Sequence, residues 1–326
     1  MDANVAQSIR GEEMISVFNI FKRKRSTSLP RTKGVISQNV PLAKKTWMGV
    51  GGNAEYFFEP VDEKDLSNFI KNKPLSPMTV LGGGSNIIFR DGGVPGFVIH
   101  LGKPFSNISI KDNLISCGAG LLTIDLAKFA QRNGLSGFEF LSGIPGTVGG
   151  ALRMNAGAYG SEIKDILVSL RFIDGNGRIQ ELTPQTDFFK YRKNALPEDW
   201  IFTGATFQGQ PENPEKITEK MLELKKKREA NQPMGVKTCG STFKNPEGLR
   251  AWELIEKSGC RQMKKGDAII SEKHANFLIN KGKASAADIE ELGEEIRARV
   301  LKKCGILLEW EIKRIGVPKE EESEDE

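Results

Sequence analysis

The sequence predicts an α+β fold, and three observations support that prediction. Between residues 46 and 208, short apolar stretches alternate with turn signals, a pattern typical of strands. After Pro214, apolar residues recur every three or four positions, which indicates amphipathic helices. The chain has 326 residues, enough for two domains, and its pattern changes near residues 209–216. We therefore expect a domain boundary there.

Turn residues separate the predicted strands of the first part. Asp112-Asn113 and residues 174–177 (DGNG) each lie between two strand-like stretches, which is the signal of a β-hairpin. Residues 123–134 have a helix pattern instead, with Thr123 as the N-cap and an Asn-Gly pair as the stop signal. The predicted strands and hairpins cover residues 54–58, 78–81, 96–101, 108–117, 169–182 and 201–207.

The second part contains two predicted helices. The first leads into a basic run at residues 225–228, and the second begins with a capping box made by Ser285 and Asp288 and stops at Gly305. Each has one apolar face, as expected for a helix that packs on a core. These faces are Ile217, Met221 and Leu224 in the first helix, and Ile289, Leu292, Ile296 and Val300 in the second.

A final strand is predicted over residues 308–315, because apolar and acidic residues alternate there. This alternation puts two glutamates on the face opposite the apolar residues, and spacing alone does not distinguish between them. The apolar face is Leu308, Trp310 and Ile312, and the acidic face is Glu309 and Glu311. An acidic tail follows at residues 318–326.

The net charge of +5 includes this acidic tail, so the rest of the chain is more basic than the total suggests. A mildly basic body suits nucleic acid, acidic lipid or anionic small molecules equally well. Aromatic residues are not interleaved with the basic run 225–228, which disfavours nucleic-acid binding by that run. A solvated helix face is the commonest role of such a run, and steering of an anionic substrate is the alternative.

Cysteine and histidine usage argues against a metal site. The four cysteines form no CxxC pair, and the chain has only two histidines. We therefore predict no metal and reduced thiols, as in a cytosolic protein. Near the N-terminus, the apolar segment 14–21 is too short to span a bilayer, and its basic run follows it, the wrong order for a secretory signal. Residues 1–36 are predicted to form a flexible leader.

Two glycine-rich segments suggest binding of a diphosphate. GGGSN at residues 82–86 follows a predicted strand, and GIPGTVGGALRMNAGAYG covers residues 143–160. Successive glycines expose backbone N–H groups that can surround an anion. Neither segment is a P-loop or a Rossmann fingerprint. Diphosphate binding by another fold is therefore favoured over the alternative of two flexible loops.

Six motifs occur in order along most of the chain: LGGGSN, GIPGTVGGALRMNAGAYG, YRKN, GSTFKNP, SEKHANFLIN and LEWEI. Together they resemble the UDP-N-acetylenolpyruvoylglucosamine reductase family over residues 37–316. The short spacing from YRKN to GSTFKNP resembles the second type of this family, which lacks a long insert there. One motif would be weak, but six in order are specific.

The resemblance implies the two-subdomain FAD-binding fold of vanillyl-alcohol-oxidase-type flavoproteins, with an α+β substrate-binding domain. The expected domains are 37–212 for FAD, 213–305 for the substrate, and a C-terminal strand at 306–317. FAD would be bound non-covalently, with the glycine segments around its diphosphate and flavin. The implied cofactor-binding residues are Gly82, Gly83, Gly84, Ser85, Asn86, Ile144, Pro145, Gly146, Thr147, Gly149, Gly150, Asn155, Gly157 and Ala158.

The family reaction is reduction of an enolpyruvyl ether by NADPH. Hydride passes from NADPH to flavin N5 and then to C3 of UDP-N-acetylglucosamine enolpyruvate, giving UDP-N-acetylmuramate for peptidoglycan synthesis. The resemblance implies that Ser241 donates the proton to C2, that Arg192 holds the substrate carboxylate and the developing enolate, and that Glu311 assists Arg192. Its register selects Glu311 over Glu309.

Further residues match the substrate pocket of the family. Arg153 also lies within reach of the substrate in this interpretation, and for Tyr159 packing under the loop is an equal alternative. One position departs from the family pattern, because Asn194 occupies the place of the usual serine in YRKN. The implied substrate-binding residues are Tyr159, Lys244, Asn245, His274 and Asn276.

Two other functions stay open at this stage. A flavin-dependent oxidase of the same fold group, acting on an alcohol or sugar, is the alternative, and Cys117 beside Gly118 is the one candidate for covalent flavin attachment. A non-catalytic binding protein for nucleotides or nucleic acid is disfavoured. We expect small-molecule partners only, with no nucleic acid, membrane or obligate protein partner. A cytoplasmic location follows from the cytosolic supply of UDP-sugars and NADPH.

Overall fold

The computed structural model describes residues 29–185 and 188–320. These residues form an α+β architecture, as predicted. The described helices are α1 (Glu63–Asn72), α2 (Thr123–Arg132), α3 (Val148–Met154), α4 (Pro214–Asn231), α5 (Ala251–Lys257) and α6 (Ala286–Cys304). Most of the predicted leader, and residues 321–326 of the acidic tail, lie outside the described residues.

The first sheet has four strands in the order β1-β2-β5-β3, with helix α1 packed on one face. Its strands are β1 (Val35–Pro41), β2 (Asn53–Glu59), β3 (Met78–Leu81) and β5 (Val94–His100). The leader was predicted to extend to residue 36, but β1 begins at Val35 and pairs with β2. Successive residues of β2 point to opposite faces, so Phe58 packs with Phe69 of α1 while Phe57 enters a separate core.

The second sheet has five antiparallel strands in the order β12-β11-β15-β7-β6. Its strands are β6 (Ile108–Lys111), β7 (Leu114–Gly118), β11 (Leu167–Ile173), β12 (Ile179–Leu182) and β15 (Ile201–Gln208). Both predicted hairpins are present, β6-β7 around Asp112-Asn113 and β11-β12 around residues 174–177. Helices α2 and α3 cover this sheet and share its apolar core with Met221 of α4.

The predicted N-cap of α2 is wrong. Leu122 occupies the cap position and Thr123 is the first helical residue. The Thr123 hydroxyl donates to the carbonyls of Ile144 and Gly146 instead of capping its own helix. The Thr123 hydroxyl is therefore bound to the second glycine segment and does not cap α2. The predicted Asn-Gly stop is confirmed, with Asn133 as C-cap and Gly134 at φ +65°.

A third sheet and two helices form the core near the C-terminus. Its strands β17 (Lys264–Lys265), β18 (Ala268–Ile270) and β19 (Leu278–Asn280) pack with α5 and α6. The predicted capping box of α6 is confirmed, because the Ser285 hydroxyl accepts from Asp288 N and the Asp288 carboxylate accepts from Ser285 N. Met48, Val50 and Ile88 belong to the same core, so the first part of the chain contributes to it.

The final strand is shorter than predicted. Strand β20 (Lys313–Ile315) pairs in parallel with β4 (Ile87–Phe89), but residues 308–312 are irregular except for a single bridge between Phe243 and Trp310. Trp310 packs against Gly293 of α6, where a Cβ atom would come within 2.2 Å of its ring. Glu311 therefore lies outside the strand. The remaining strands are the short pairs β8 (Leu135–Ser136) with β16 (Gln210–Pro211), β9 (Gly157–Ala158) with β10 (Ser161–Glu162), and β13 (Phe189–Lys190) with β14 (Lys193–Asn194).

Candidate active site

The two predicted glycine segments lie against each other. The Ser85 hydroxyl donates to the Pro145 carbonyl at 3.0 Å, which joins the first segment to the second. A Cβ atom on Gly84, which has φ +64°, would lie 2.1 Å from the Lys45 carbonyl oxygen. One on Gly146, at φ +111°, would lie 2.6 Å from the Ser85 hydroxyl. Glycine is therefore needed at both positions for conformation and for space.

The glycine segments also contain unpaired donors. The backbone N–H groups of residues 82–86, Gly146 and Thr147 lie in loops. Among the described residues, no backbone carbonyl in the loops and turns accepts a hydrogen bond from any of them. The buried Thr147 hydroxyl has no hydrogen-bond partner in the described part of the chain either. Gly84 and Thr147 are buried, and buried donors without partners are unfavourable unless a ligand accepts their hydrogen bonds. The residues present therefore fit a diphosphate.

We call the donors of residues 82–86, Gly146 and Thr147 the diphosphate cradle. A third segment, which the sequence did not predict, adjoins this cradle. Residues 117–121 (CGAGL) link β7 to α2 and bind the second glycine segment through the backbone. Gly149 N donates to Ala119 O, and Val148 N donates to Leu121 O, both at 2.8 Å. The Gly-Ala-Gly sequence directly after a strand was the available signal.

The thiol of Cys117 does not support covalent flavin attachment. Its side chain is buried in the core under the second sheet, and burial raises the pKa of Cys117 to about 12. A thiol in such surroundings is largely protonated at neutral pH and is therefore a poor nucleophile. Cysteine attachment was the sequence feature that left the oxidase alternative open.

Tyr159 lies at the tip of the hairpin β9-β10. Tyr159 and Gly160 have φ values of +56° and +86°, the backbone of a type I′ turn. The Tyr159 hydroxyl donates to the Leu224 carbonyl of α4 at 3.2 Å, and burial raises its pKa, with the positive charges of Arg228 and Lys227 opposing this. Its ring is partly exposed beside the cradle, so both of its predicted roles stay predictions.

Arg192 and Glu311 form an ion pair. Arg192 lies in the two-residue turn between β13 and β14, at φ +54°, and its Nε is 2.8 Å from Oε1 of Glu311. Both side chains are largely shielded from solvent. Burial raises the pKa of Glu311 above its usual value, while the nearby charges of Arg192 and Lys244 oppose that rise. The pair therefore sits in a site where charge is poorly solvated.

The GSTFKNP segment brings Ser241 to the same place. The carbonyl of Thr242, its neighbour, accepts a hydrogen bond from Glu311 N at 2.8 Å. The backbone of Ser241 forms an isolated antiparallel β-bridge with that of Phe277. The side chain of Asn86, from the first glycine segment, donates to the Glu311 carbonyl at 3.2 Å. The segments that carry Arg192, Ser241 and Glu311, the three residues predicted to be catalytic, thus meet next to the first glycine segment.

Glu309 and Glu311, which spacing left equivalent, differ in the structure. Glu309 is exposed, with 73% of its side chain accessible, and it pairs with Lys244. Glu311 is only 15% accessible and faces Arg192. This environment supports the choice of Glu311, because a buried and paired carboxylate is the type that active sites use.

The other predicted substrate residues have structural partners. Asn245 Oδ1 accepts from Ala251 N at the start of α5, and the ring of His274 accepts from Asn276 N, with burial lowering the pKa of His274. The Asn276 side chain is buried and binds both the N–H and the carbonyl of Phe243. It therefore fixes the segment that carries Ser241.

Arg153, named as a candidate for substrate contact, is engaged elsewhere. Its guanidinium donates to the carbonyls of Pro197 and Trp200 and lies 4.3 Å above the ring of Phe202. Burial lowers the pKa of Arg153, and the carboxylates of Glu198 and Asp199 oppose this. The side chain is thus part of the packing around β15.

Comparisons with known proteins agree with this arrangement. A family model described as an FAD binding domain matches residues 54–183, and one described as the UDP-N-acetylenolpyruvoylglucosamine reductase C-terminal domain matches residues 232–315. A crystal structure of UDP-N-acetylenolpyruvylglucosamine reductase from Thermus caldophilus matches with a TM-score of 0.76 and 35% identity, covering 88% of this chain and 100% of that one. The fold and the site thus define an FAD-dependent oxidoreductase.

Curated relatives identify the family. A UDP-N-acetylenolpyruvoylglucosamine reductase from Paramagnetospirillum magneticum is 52% identical over 290 residues, covering 89% of this chain and 94% of the relative. One from Rickettsia conorii is 50% identical over 289 residues, covering 88% and 98%. The chain belongs to the UDP-N-acetylenolpyruvoylglucosamine reductase family, and the predicted fold class is confirmed. Within residues 29–185 and 188–320, none of the helices has the length and apolarity that crossing a membrane requires.

Proposed function

We propose that this protein uses NADPH to reduce UDP-N-acetylglucosamine enolpyruvate to UDP-N-acetylmuramate, a step in peptidoglycan precursor synthesis. The observation that carries the proposal is the Arg192–Glu311 pair, formed across 119 positions of sequence and adjoining Ser241. Reduction of an enol ether needs a cation, a proton donor and an orienting carboxylate. These three groups supply that set beside a diphosphate cradle.

FAD is the cofactor that the matching FAD binding domain indicates. The N–H groups of residues 82–86, with those of Gly146 and Thr147, would bind its diphosphate, and the second glycine segment would adjoin the flavin. Bound FAD supplies a hydride carrier between NADPH and the substrate. The remaining chemistry falls to the side chains of the protein.

Arg192 would bind the substrate carboxylate and the enolate oxygen that develops next to it. Its planar fork suits a pair of oxygens better than a lysine would. Glu311 holds the guanidinium in place through its 2.8 Å contact, so the cation is oriented before the substrate arrives. Lys244 would add positive charge for the substrate diphosphate, because it adjoins the same segment and its ion-pair partner Glu309 is exposed.

Ser241 would donate the proton to C2 of the substrate. A serine hydroxyl is a weak acid, so it needs a position close to the developing carbanion. Within the described residues, the Ser241 hydroxyl has no protein partner that would occupy its proton. Its position is set by its neighbours, since Thr242 binds Glu311 and Asn276 binds Phe243.

The visible absorption spectrum of the purified protein tests this proposal. We expect a flavin band that anaerobic NADPH bleaches and that the enolpyruvyl UDP-sugar restores. Bleaching without recovery would retain the flavin but exclude this substrate. A colourless protein that takes up no FAD would overturn the assignment of the glycine segments. The second-type subclass, the domain limits 37–212 and 213–305, and a cytoplasmic location stay predictions.

A further inference from the structure

Two buried asparagines lie at the base of the hairpin that carries Arg192. Asn155 is 0% exposed and follows α3 directly, and Asn194 is 8% exposed and ends strand β14. Neither side chain reaches solvent freely, so each must satisfy its amide within the protein. Their partners show that both serve the same junction, between α3 and the hairpin β13-β14.

Asn194 binds the last turn of α3. Its Nδ2 donates to the carbonyls of Arg153, at 2.8 Å, and Leu152, at 3.2 Å, while its Oδ1 accepts from Leu196 N at 3.1 Å. Carbonyls in the last turn of a helix lack the usual donor four residues on, and the Asn194 amide supplies a donor to two of them. An amide suits this position because it offers two donors and an acceptor together.

Asn155 binds the other strand of the hairpin. It has φ +41°, and its Nδ2 donates to the Lys190 carbonyl of β13 at 3.2 Å and to Oε2 of Glu162 at 3.0 Å. Its Oδ1 accepts from Lys164 N at 3.2 Å. The residue was predicted to contact the cofactor, but its side chain is fully engaged with protein.

We propose that Asn194 and Asn155 are positioning residues for Arg192, an inference that rests on the proposed function. The two strands of a hairpin with a two-residue turn are both bound to α3, one by each amide. Helix α3 is itself part of the second glycine segment, so the amides fix the distance between Arg192 and the cofactor cradle. They also hold Arg192 in its left-handed backbone conformation opposite Glu311.

Half-reactions measured on the holoenzyme by stopped-flow absorbance test this inference. In Asn194→Ser one donor remains, and in Asn194→Asp both donors are lost. We expect reduction by NADPH to stay within about 2-fold of wild type, because Arg192 is not required for it. Reoxidation by the enolpyruvyl UDP-sugar should slow about 10-fold in Asn194→Ser and about 100-fold in Asn194→Asp, since small displacements of an orienting group have effects of that order.

Asn280→Ser is the matched control. Asn280 is also buried, donates to the Met48 carbonyl at 3.0 Å and accepts from Gly282 N and Ala284 N, but its side chain does not contact the Arg192 hairpin. It should lower stability without separating the two half-reactions. In an Arg192→Lys background, Asn194→Ser should add little to the defect, because it acts through Arg192.

Several outcomes would overturn the positioning role. Equal slowing of both half-reactions, loss of flavin from Asn194→Ser, or effects that simply add to those of Arg192→Lys would each show that Asn194 only supports the fold. Unchanged reoxidation in Asn194→Asp would do the same. Failure of the proposed function is distinguishable, because the wild-type enzyme itself would then not be reoxidised by the enolpyruvyl UDP-sugar.

Discussion

The glycine segments and the Arg192–Glu311–Ser241 centre are built on different principles, although they adjoin each other. In the glycine segments the backbone provides most of the donors, and glycine allows the two loops to approach closely. In the charged centre, side chains from three distant segments are the groups proposed to act on the substrate, and the backbone positions them. A substitution in the first region should therefore change whether the cofactor binds. A substitution in the charged centre should leave cofactor binding intact and change the rate at which the substrate is reduced.

The largest effect is expected from Gly84→Ala. The new Cβ would lie 2.1 Å from the Lys45 carbonyl, and φ at this position is +64°, so the first glycine segment must move. We expect purified protein without a flavin absorbance band. Gly259→Ala is the control, because Gly259 has φ +70° but nothing within 4 Å of its Cβ position. A yellow Gly84→Ala protein with normal flavin content would contradict the comparison.

Ser241→Ala should leave cofactor binding intact and remove the proton donor. Turnover should fall about 10²- to 10⁴-fold, the usual range for loss of a general acid. Reduction by NADPH should be unchanged, since no proton from Ser241 is needed there. Steady-state and single-turnover rates measure both effects. Ser106→Ala, which loses only a hydroxyl bond to the Gly102 carbonyl, should retain full activity; full turnover in Ser241→Ala would remove Ser241 from the mechanism.

Glu311→Gln should change the pH dependence of stability. Because burial raises the pKa of Glu311 above 4.5, the folded state binds its proton more tightly than the unfolded state. Ionisation therefore weakens folding as the pH rises from about 4.5 through the folded pKa. Urea unfolding at a series of pH values should show wild type losing stability relative to Glu311→Gln over that range. A constant difference, or one of opposite sign, would show that the pKa is not raised.

The smallest effect is expected from Tyr159→Phe. This substitution removes one hydrogen bond, to the Leu224 carbonyl, and should lower the free energy of unfolding by about 1 kcal/mol. Flavin content should stay normal, because the hairpin backbone is unchanged. Thermal unfolding and the absorbance ratio of flavin to protein measure both. Loss of flavin would mean that this side chain, and not the backbone alone, maintains the second glycine segment.

The sequence predicted those features whose signals are local. The hairpins at β6-β7 and β11-β12, the capping box of α6 and the stop of α2 all depend on residues within a few positions of one another. The predicted catalytic residues were chosen through motif resemblance, and the structure brings their three segments together. Helix α1 was missed, although Asp62 caps it and its apolar residues face the first sheet.

The predictions that were wrong depended on distant partners. Thr123 could not be recognised as a donor to Ile144 and Gly146, because its local sequence is that of an N-cap. Alternation over 308–315 predicted a strand, but Trp310 packs on Gly293 and only residues 313–315 find a strand to pair with. The roles of Asn194 and Asn276 depend in the same way on contacts that no local pattern reveals.

The pairing of β20 with β4 has a consequence for how the protein is made. Lys313 lies opposite Ile87, so this sheet closes a loop of more than two hundred residues. Contacts of such separation form late and slowly. During synthesis the sheets formed by earlier residues can fold before Glu311 leaves the ribosome, because N-terminal parts of a chain generally fold first. Until residues 311–313 emerge, Arg192 lacks the carboxylate that pairs with it, and Asn86 lacks the N–H of Lys313 that binds its carbonyl. The charged centre and the end of the first glycine segment are therefore completed at the same late stage.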